Sequence, residues 1–346
     1  MGKRILTNKH NLPETLVKAV QYDTHKLAGT LSVTTLIDGP QIRYLKKLHD
    51  YESDVVDNIY ALMGTALHHI LERANIESVR KQAFILTAET IMMEADKLKS
   101  AAPEKAQALQ NGANWIFKLI PVFFPEIAER YIFEKTMVLN FGDHTLSGTF
   151  DLYDKQTGIL WDYKFCSTHS YTHPESRKKW EEQTNIYAHM LRSQGIPVNG
   201  IRIVAFFRDW NAFGMMKNSN YPNMQIKEIF IPLYTPENAE ELINYHLNLH
   251  RMADAGNVPE CSGEVRWATG DIFAVKPQGS NRALSKGLFD SRPAAEAFLS
   301  ENKHKHTAEL YIETRAGESR RCKSYCPVSA HCPQYKAELQ RNALLN

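Results

Sequence analysis

Thr145-Leu146-Ser147-Gly148-Thr149-Phe150-Asp151-Leu152-Tyr153, then Ile159-Leu160-Trp161-Asp162-Tyr163-Lys164-Phe165, reads as two strands joined by a turn over residues 154–158. A strand turns residues i and i+2 to the same side. Asp162 and Lys164 therefore project together while Tyr163 faces the opposite layer. Asp151, on the preceding strand, is expected to converge on Asp162 across the hairpin. Two carboxylates on rigid strands make a hard oxygen site suited to Mg²⁺ or Mn²⁺. Lys164 adds a cation able to orient a water or neutralise developing negative charge.

Around this hairpin the hydrophobic period changes twice. Upstream, Val55, Ile59, Leu62, Met63, Ala66 and Ile70 recur at helical spacing, predicting a long helix over 54–82 capped by Ser53. Gly64, His68 and Glu72 share one face of it, whereas His69 points elsewhere. A further helical stretch runs to about residue 130, with breaks expected near Pro103, Pro121 and Pro125. Residues 132–141 form a strand ahead of the hairpin. After the hairpin, 180–194 reads as a helix ending at Gly195, and 201–207 as a buried strand. A strand at 226–233 and a helix at 236–255 follow. Residues 1–30 read as polar and irregular. Residues 256–346 are richer in Gly, Pro and basic side chains, with one short helix at 293–300. Periodicity alone gives α/β or α+β.

The joint pattern resembles the PD-(D/E)XK nuclease superfamily. Its marks are Gly148 with Asp151, the Asp162-Tyr163-Lys164 strand, and Gln183 with Tyr187 one turn apart on the next helix. Asp-x-Lys alone is common and usually a surface charge pair. The ordered set is far more specific. The resemblance implies a restriction-endonuclease-like αβββαβ core with added helices. It also implies phosphodiester hydrolysis, with Asp151, Asp162, Lys164, Gln183 and Tyr187 in the catalytic site and the Tyr163 carbonyl as a metal ligand. The segment Gly64-Thr65-Ala66-Leu67-His68, with Glu72 after it, resembles the first motif of the RecB-like branch. That likeness brings His68 to the metal, although a helical histidine is more often structural, and has Gly64 let its helix approach the sheet.

Five cysteines occur, none before Cys166. Cys322, Cys326 and Cys332 cluster, which in a reducing compartment favours metal over disulfides. The iron–sulfur nucleases of the superfamily, including AddB-like and CRISPR-adaptation proteins, join three C-terminal cysteines to a distant fourth. Here the first gap is three residues rather than two, and the usual upstream cysteine is missing. Cys261 is the expected substitute, with Cys166 second. Four thiolates suit a 4Fe–4S cluster or Zn²⁺. Spacing does not separate these, and His331 or His304 are further zinc donors; the resemblance favours the cluster.

At 346 residues the chain can bury a full core, and its hydrophobic share of 43% is ordinary for a globular protein. Net charge is only +2. From Cys261 onward there are 13 Lys and Arg against 9 Asp and Glu, which is +4, leaving −2 for the rest. That is a weak basic bias, equally explained by solvated surface. No run approaches the ~20 apolar residues of a membrane span, and the first residues lack a secretory h-region. No Gly-x-x-x-x-Gly-Lys-Ser/Thr loop marks a helicase. The expectation is a cytoplasmic, stand-alone DNA exonuclease acting at ends in recombination, repair or replication. The compact layout suits a phage gene acting in host cytoplasm, with replication or recombination proteins as partners. A structure-selective or single-strand endonuclease and a non-catalytic nucleic-acid-binding protein are the competing readings. One integrated domain is expected, with a helical region at 1–130 carrying the His motif, the nuclease core at 131–255 and the cysteine segment at 256–346. Arg177-Lys178-Lys179-Trp180, Phe206-Phe207-Arg208-Asp209-Trp210 and Arg266-Trp267 mix basic and aromatic residues and are leads for a strand channel.

Overall fold

The computed structural model describes residues 2–21, 29–74, 76–123 and 130–345. In chain order the elements begin with β1 (Arg4–Thr7), α1 (Glu14–Gln21), β2 (Leu31–Ser32), α2 (Val33–Leu36), α3 (Pro40–Leu48) and β3 (Tyr51–Asp54). Next come α4 (Ile59–Ala74), α5 (Ile76–Leu98), α6 (Pro103–Phe123), β4 (Tyr131–Phe141), β5 (His144–Asp154) and β6 (Ile159–Cys166). Then follow α7 (His169–Thr172), α8 (Lys178–Ser193), β7 (Gly200–Phe207), α9 (Ala212–Lys217), β8 (Ile226–Ile231) and α10 (Pro236–Asp254). The remainder holds α11 (Gly263–Arg266), β9 (Ile272–Pro277), β10 (Leu288–Phe289), α12 (Arg292–Asn302), β11 (Leu310–Arg315), α13 (Arg320–Ser324) and α14 (Pro333–Leu345). They divide into two compact units, one of residues 1–13, 38–57 and 248–346, the other of 14–37 and 58–247.

The second unit is built on a mixed sheet in the order β2-β5-β6-β7-β8, with β4 paired to β5. The sequence of helix, three strands, helix, strand is the expected αβββαβ core. β4, β5 and β6 run antiparallel in succession. β6 and β7 are parallel, so the chain needs a crossover, and α8 supplies it. Along β7, Ile201, Ile203, Ala205 and Phe207 are buried while the alternate residues are only partly covered. α8 buries Ile186, Ala188, Met190 and Leu191 in the same core as Leu146, Phe150 and Leu160. Asn185 ties this helix to the chain beyond β8, its amide donating to Pro232 O and its carbonyl accepting from Tyr234 N.

The expected helix over 54–82 is corrected. Residues 51–54 form a strand because β1 pairs with them in parallel, Leu6 opposite Ser53. Ser53 thus lies within a strand, not at a helix start, and the next residue, Asp54, accepts from Thr7 Oγ1 at 2.8 Å and Lys9 N at 2.9 Å. The helix begins at Ile59, ends at Ala74 and is succeeded by α5. α5 and α6 then form a hairpin. Ala88 and Ala95 on one helix and Ala106, Ala113 and Ile120 on the other are buried at seven-residue spacing, a seam of small side chains that brings the helices close. α6 continues two residues past Pro121, and Pro125 lies outside the described residues.

The first unit also holds more than expected. Within 256–346, where one short helix was predicted, β9 pairs on both sides with β10 and β11 in an antiparallel sheet. α12 covers it, burying Ala295 against Val275 and Leu310. These strands are two to six residues long and lie among Gly, Pro and Lys, so their alternation is too brief to stand out. The polar N-terminal stretch likewise contributes β1 to this unit and α1 to the second.

Candidate active site

β5 has two partners on one edge. Its start pairs with β2 at Leu31–Leu146 and Ser32–Ser147, and its end pairs with β6 at residues 152–154. Between them, over 148–151, the edge is forked open. Asp151 stands in the fork, and its Oδ2 accepts from Tyr163 N at 2.6 Å. The carboxylate thus replaces a ladder bond and fixes β6 beside it. Across β5, β4 keeps its register but one pairing is interrupted at the same level. Phe133 pairs with Leu152 and Lys135 with Phe150, while Glu134 is skipped, with φ 43°. A non-glycine residue in the left-handed region is strained, and such strain gathers at functional sites. Here it brings Glu134 to His68 and Asp151.

His68 comes from α4. Its Nδ1 lies 3.3 Å from Asp151 Oδ1 and 3.9 Å from Glu134 Oε1, and its Nε2 lies 3.1 Å from the carbonyl oxygen of Tyr163. His68, Glu134 and Asp151 each offer one ligand atom within 4.8 Å of the others. The sequence reading missed Glu134, because Phe133-Glu134-Lys135 carries no motif and the kink that aims it is invisible in one dimension.

Asp162 and Lys164 do share a side, with Lys164 Nζ 2.7 Å from Asp162 Oδ2. The ammonium also donates to Gln183 Oε1 at 3.1 Å, and Gln183 Nε2 donates to Tyr187 OH at 2.9 Å. Gln183 and Tyr187 therefore hold the lysine from one face of α8. Gly148 makes room for this: a Cβ there would lie 2.6 Å from Tyr187 Cε1 and 2.8 Å from Val33 Cγ2. Gly64 is different. A Cβ on it meets nothing within 4 Å, so it lines open space rather than permitting close packing. His69 is exposed and 3.5 Å from Glu72; both face the cleft without joining the His68 group. That cleft has a volume of about 790 Å³, and Glu134, Asp151, Asp162 and Lys164 line it together with Ser32, Thr136 and Thr149.

The electrostatics call for a cation. Burial pushes the Asp162 and Glu134 carboxyls above their usual range. Burial pushes His68 down, but Asp151 and Glu134 outweigh it and carry the ring to about 10. Burial likewise opposes the Lys164 charge, and Asp162 and Asp151 more than offset it. Asp162 Oδ2 is fully buried and, apart from its contact with Lys164, has no well-oriented hydrogen-bond donor. An imidazole and carboxylates converging on one point, beside the Tyr163 carbonyl, fit a small hard divalent ion.

The PD-(D/E)XK nuclease superfamily model matches residues 41–333. This chain belongs to that superfamily. As a PD-(D/E)XK protein it is a phosphodiester hydrolase of a class that uses divalent metal ions and acts on DNA. No curated protein matches it. Among solved structures it is similar to that of SSO0001, at 16% identity and TM-score 0.35, over 68% of this chain and 84% of that one. It is also similar to a candidate exonuclease from Eubacterium rectale, at 14% identity and TM-score 0.27, over 61% and 76% of the two chains. No helix among the described residues is long and apolar enough to cross a membrane.

The five cysteines of this PD-(D/E)XK chain lie in two places. Cys261, Cys322, Cys326 and Cys332 line one pocket with Gln41, Ile42, Leu45, Arg321 and Val328. Cys166 lies in the sheet core, where burial raises its thiol to about 11. Burial raises Cys261 to about 12 and Cys322 to about 11, and lifts Cys326 as well. Tyr335 N donates to Cys332 Sγ at 3.4 Å, and Cys332 Sγ donates to Gln41 Oε1 at 3.2 Å. A Cβ on Gly39 would sit 2.7 Å from Cys261 Sγ. His331 stacks on His49 at 4.3 Å, and neither it nor His304 lines the pocket.

Proposed function

We propose that this protein is a Mg²⁺- or Mn²⁺-dependent DNA exonuclease that hydrolyses phosphodiester bonds at DNA ends in recombination, repair or replication. The observation that carries the nuclease chemistry is the meeting of His68, Glu134 and Asp151 with the Asp162–Lys164 pair in one open cleft. His68, Asp151, Asp162 and the Tyr163 carbonyl are the ligand set, and Glu134 joins it. A divalent ion held by these residues would supply a water of lowered pKa and offset charge on the attacked phosphate. Lys164, oriented by Gln183 and Tyr187, places its ammonium where negative charge develops. The exonuclease reading is supported by the RecB-like setting of His68.

Cys261, Cys322, Cys326 and Cys332 are the ligands of a 4Fe–4S cluster in this proposal. The donor set supports it: four thiols facing one pocket, beside Arg321 and a backbone N–H, which together favour thiolate once metal is bound. A zinc centre is the alternative outcome.

The deciding assay is cleavage of end-labelled linear against covalently closed circular DNA with Mg²⁺, Mn²⁺ or EDTA. Metal-dependent loss of the linear substrate alone supports the exonuclease. Nicking of the circle favours an endonuclease, and equal activity in EDTA refutes the metal mechanism.

A further inference from the structure

Beyond the catalytic cleft, the same unit holds a second pocket of about 430 Å³, lined by Tyr171, Thr172, Arg177, Ser219, Asn220 and Tyr221. The lining contains one cation, an amide and four hydroxyls, and no carboxylate; of the hydroxyls, Thr172 and Tyr221 already donate to backbone carbonyls. An arginine with no carboxylate in the lining disfavours metal cations and suits phosphate oxygens. Arg177 is half-buried, and among the described residues no hydrogen bond or ion pair holds its guanidinium.

The wall opposite Arg177 is fixed in advance. Trp210 Nε1 donates to Pro222 O at 2.8 Å, closing the loop after β7. Tyr221 OH donates to Asp209 O at 3.2 Å, and Asp209 Oδ1 accepts from Thr168 N at 2.7 Å. Gly214 packs on the Tyr221 ring so closely that a Cβ would lie 2.8 Å from it. A preformed wall spares the ordering cost of binding.

The pocket also stands on the right line. Tyr171 and Thr172 follow the C-terminal end of β6, and Ser219 to Tyr221 follow that of β7. Ligands of open α/β sheets collect outside the carboxyl ends of parallel strands. Arg177 precedes α8, which carries Gln183 six residues later, about 9 Å along the axis at 1.5 Å per residue.

We propose that Arg177 and this pocket bind an internal backbone phosphate of the DNA strand that flanks the bond being cut. The inference rests on the nuclease reading above and names how its substrate is gripped. The test is binding of a fluorescent single-stranded 20-mer in EDTA, measured by anisotropy across salt concentrations, so that cleavage is not needed for the readout. Arg177→Ala is expected to weaken binding roughly tenfold. It is also expected to flatten the slope of log K against log salt by about 0.7, the loss of one phosphate contact. Arg177→Lys should restore the slope but only part of the affinity, and all variants should melt with the wild type. Adding a 5′- or 3′-terminal phosphate distinguishes an end-binding site: if only those oligonucleotides sense Arg177→Ala, the internal-phosphate assignment is overturned. Unchanged affinity and slope in Arg177→Ala overturn the subsite altogether. A wild type that binds DNA but never cuts it in Mg²⁺ or Mn²⁺ is a failure of the nuclease reading instead, seen in a separate experiment.

Discussion

Changing Gly148 to alanine tests the packing behind the catalytic lysine. The new Cβ would sit 2.6 Å from Tyr187 Cε1 and 2.8 Å from Val33 Cγ2, against an ordinary carbon contact of about 3.5–4.0 Å. Neither neighbour can yield freely, since Tyr187 is 4% and Val33 1% exposed. The Tyr187 ring must move by about 1 Å, and overpacking of this kind costs about 1–3 kcal/mol. In a unit of this size each kcal/mol lowers the melting temperature by about 2–4 °C, so a drop of about 2–12 °C is expected by calorimetry. The displacement also reaches Lys164 through Tyr187 OH and Gln183, and a 1 Å misplacement can cost on the order of 100-fold in rate. Gly64→Ala is the matched control. Its Cβ meets nothing within 4 Å on a helix, so it should stabilise by about 0.5–1 kcal/mol. A Gly148→Ala protein that melts and cleaves like the wild type would refute the argument.

Asp151→Ala or Asp162→Ala should abolish metal-dependent cleavage with the fold retained by circular dichroism, whereas Lys164→Ala should still bind Mn²⁺ calorimetrically while losing most of the rate. His68 gives a pH signature in metal-free protein. Its folded pKa of about 10 exceeds the unperturbed ~6.5, so its stabilisation is full below about 6.5 and lost as pH rises through 10. The melting temperature in EDTA should therefore fall over that window for wild type and His69→Ala, and fall less for His68→Ala; parallel curves for all three would refute the pairing. Cys326→Ser should remove bound iron and sulfide from anaerobically purified protein and leave catalysis at the hairpin chemically intact, while Cys166→Ser should retain the metal. One tightly bound zinc in colourless protein would replace the cluster reading.

How far the sequence carried these conclusions depends on range. The β4–β5–β6 meander was legible because local alternation and turn residues determine it, and the predicted strands fall within a residue or two of those observed. Asp162 and Lys164 came with it, since the strand period places i and i+2 on one side, while Gln183 and Tyr187 came from the resemblance to the superfamily's Gln-x-x-x-Tyr motif. Glu134 escaped because a single left-handed residue in β4 aims it. Ser53 misled because its capping chemistry is local, whereas the parallel pairing with β1 that overrides it spans 47 residues from Leu6 to Ser53. The small sheet around β9 was hidden for the same reason, its partners being joined only through tertiary contacts.

The unit that contains the four-cysteine pocket is discontinuous, drawing on residues 1–13, 38–57 and 248–346. This has a consequence for biosynthesis. Ile42 and Leu45 emerge from the ribosome early, but their buried partner Val328 comes almost at the end. The about 190 residues between the second and third pieces take roughly 10–40 s to make at 5–20 residues per second. By the end of that interval the nuclease sheet has all its strands, while the apolar face of α3 still waits uncovered. A nascent chain is thus able to acquire its cutting site before its cysteine site. It is most open to proteolysis and aggregation in between, and early termination would release a fragment with the first but not the second.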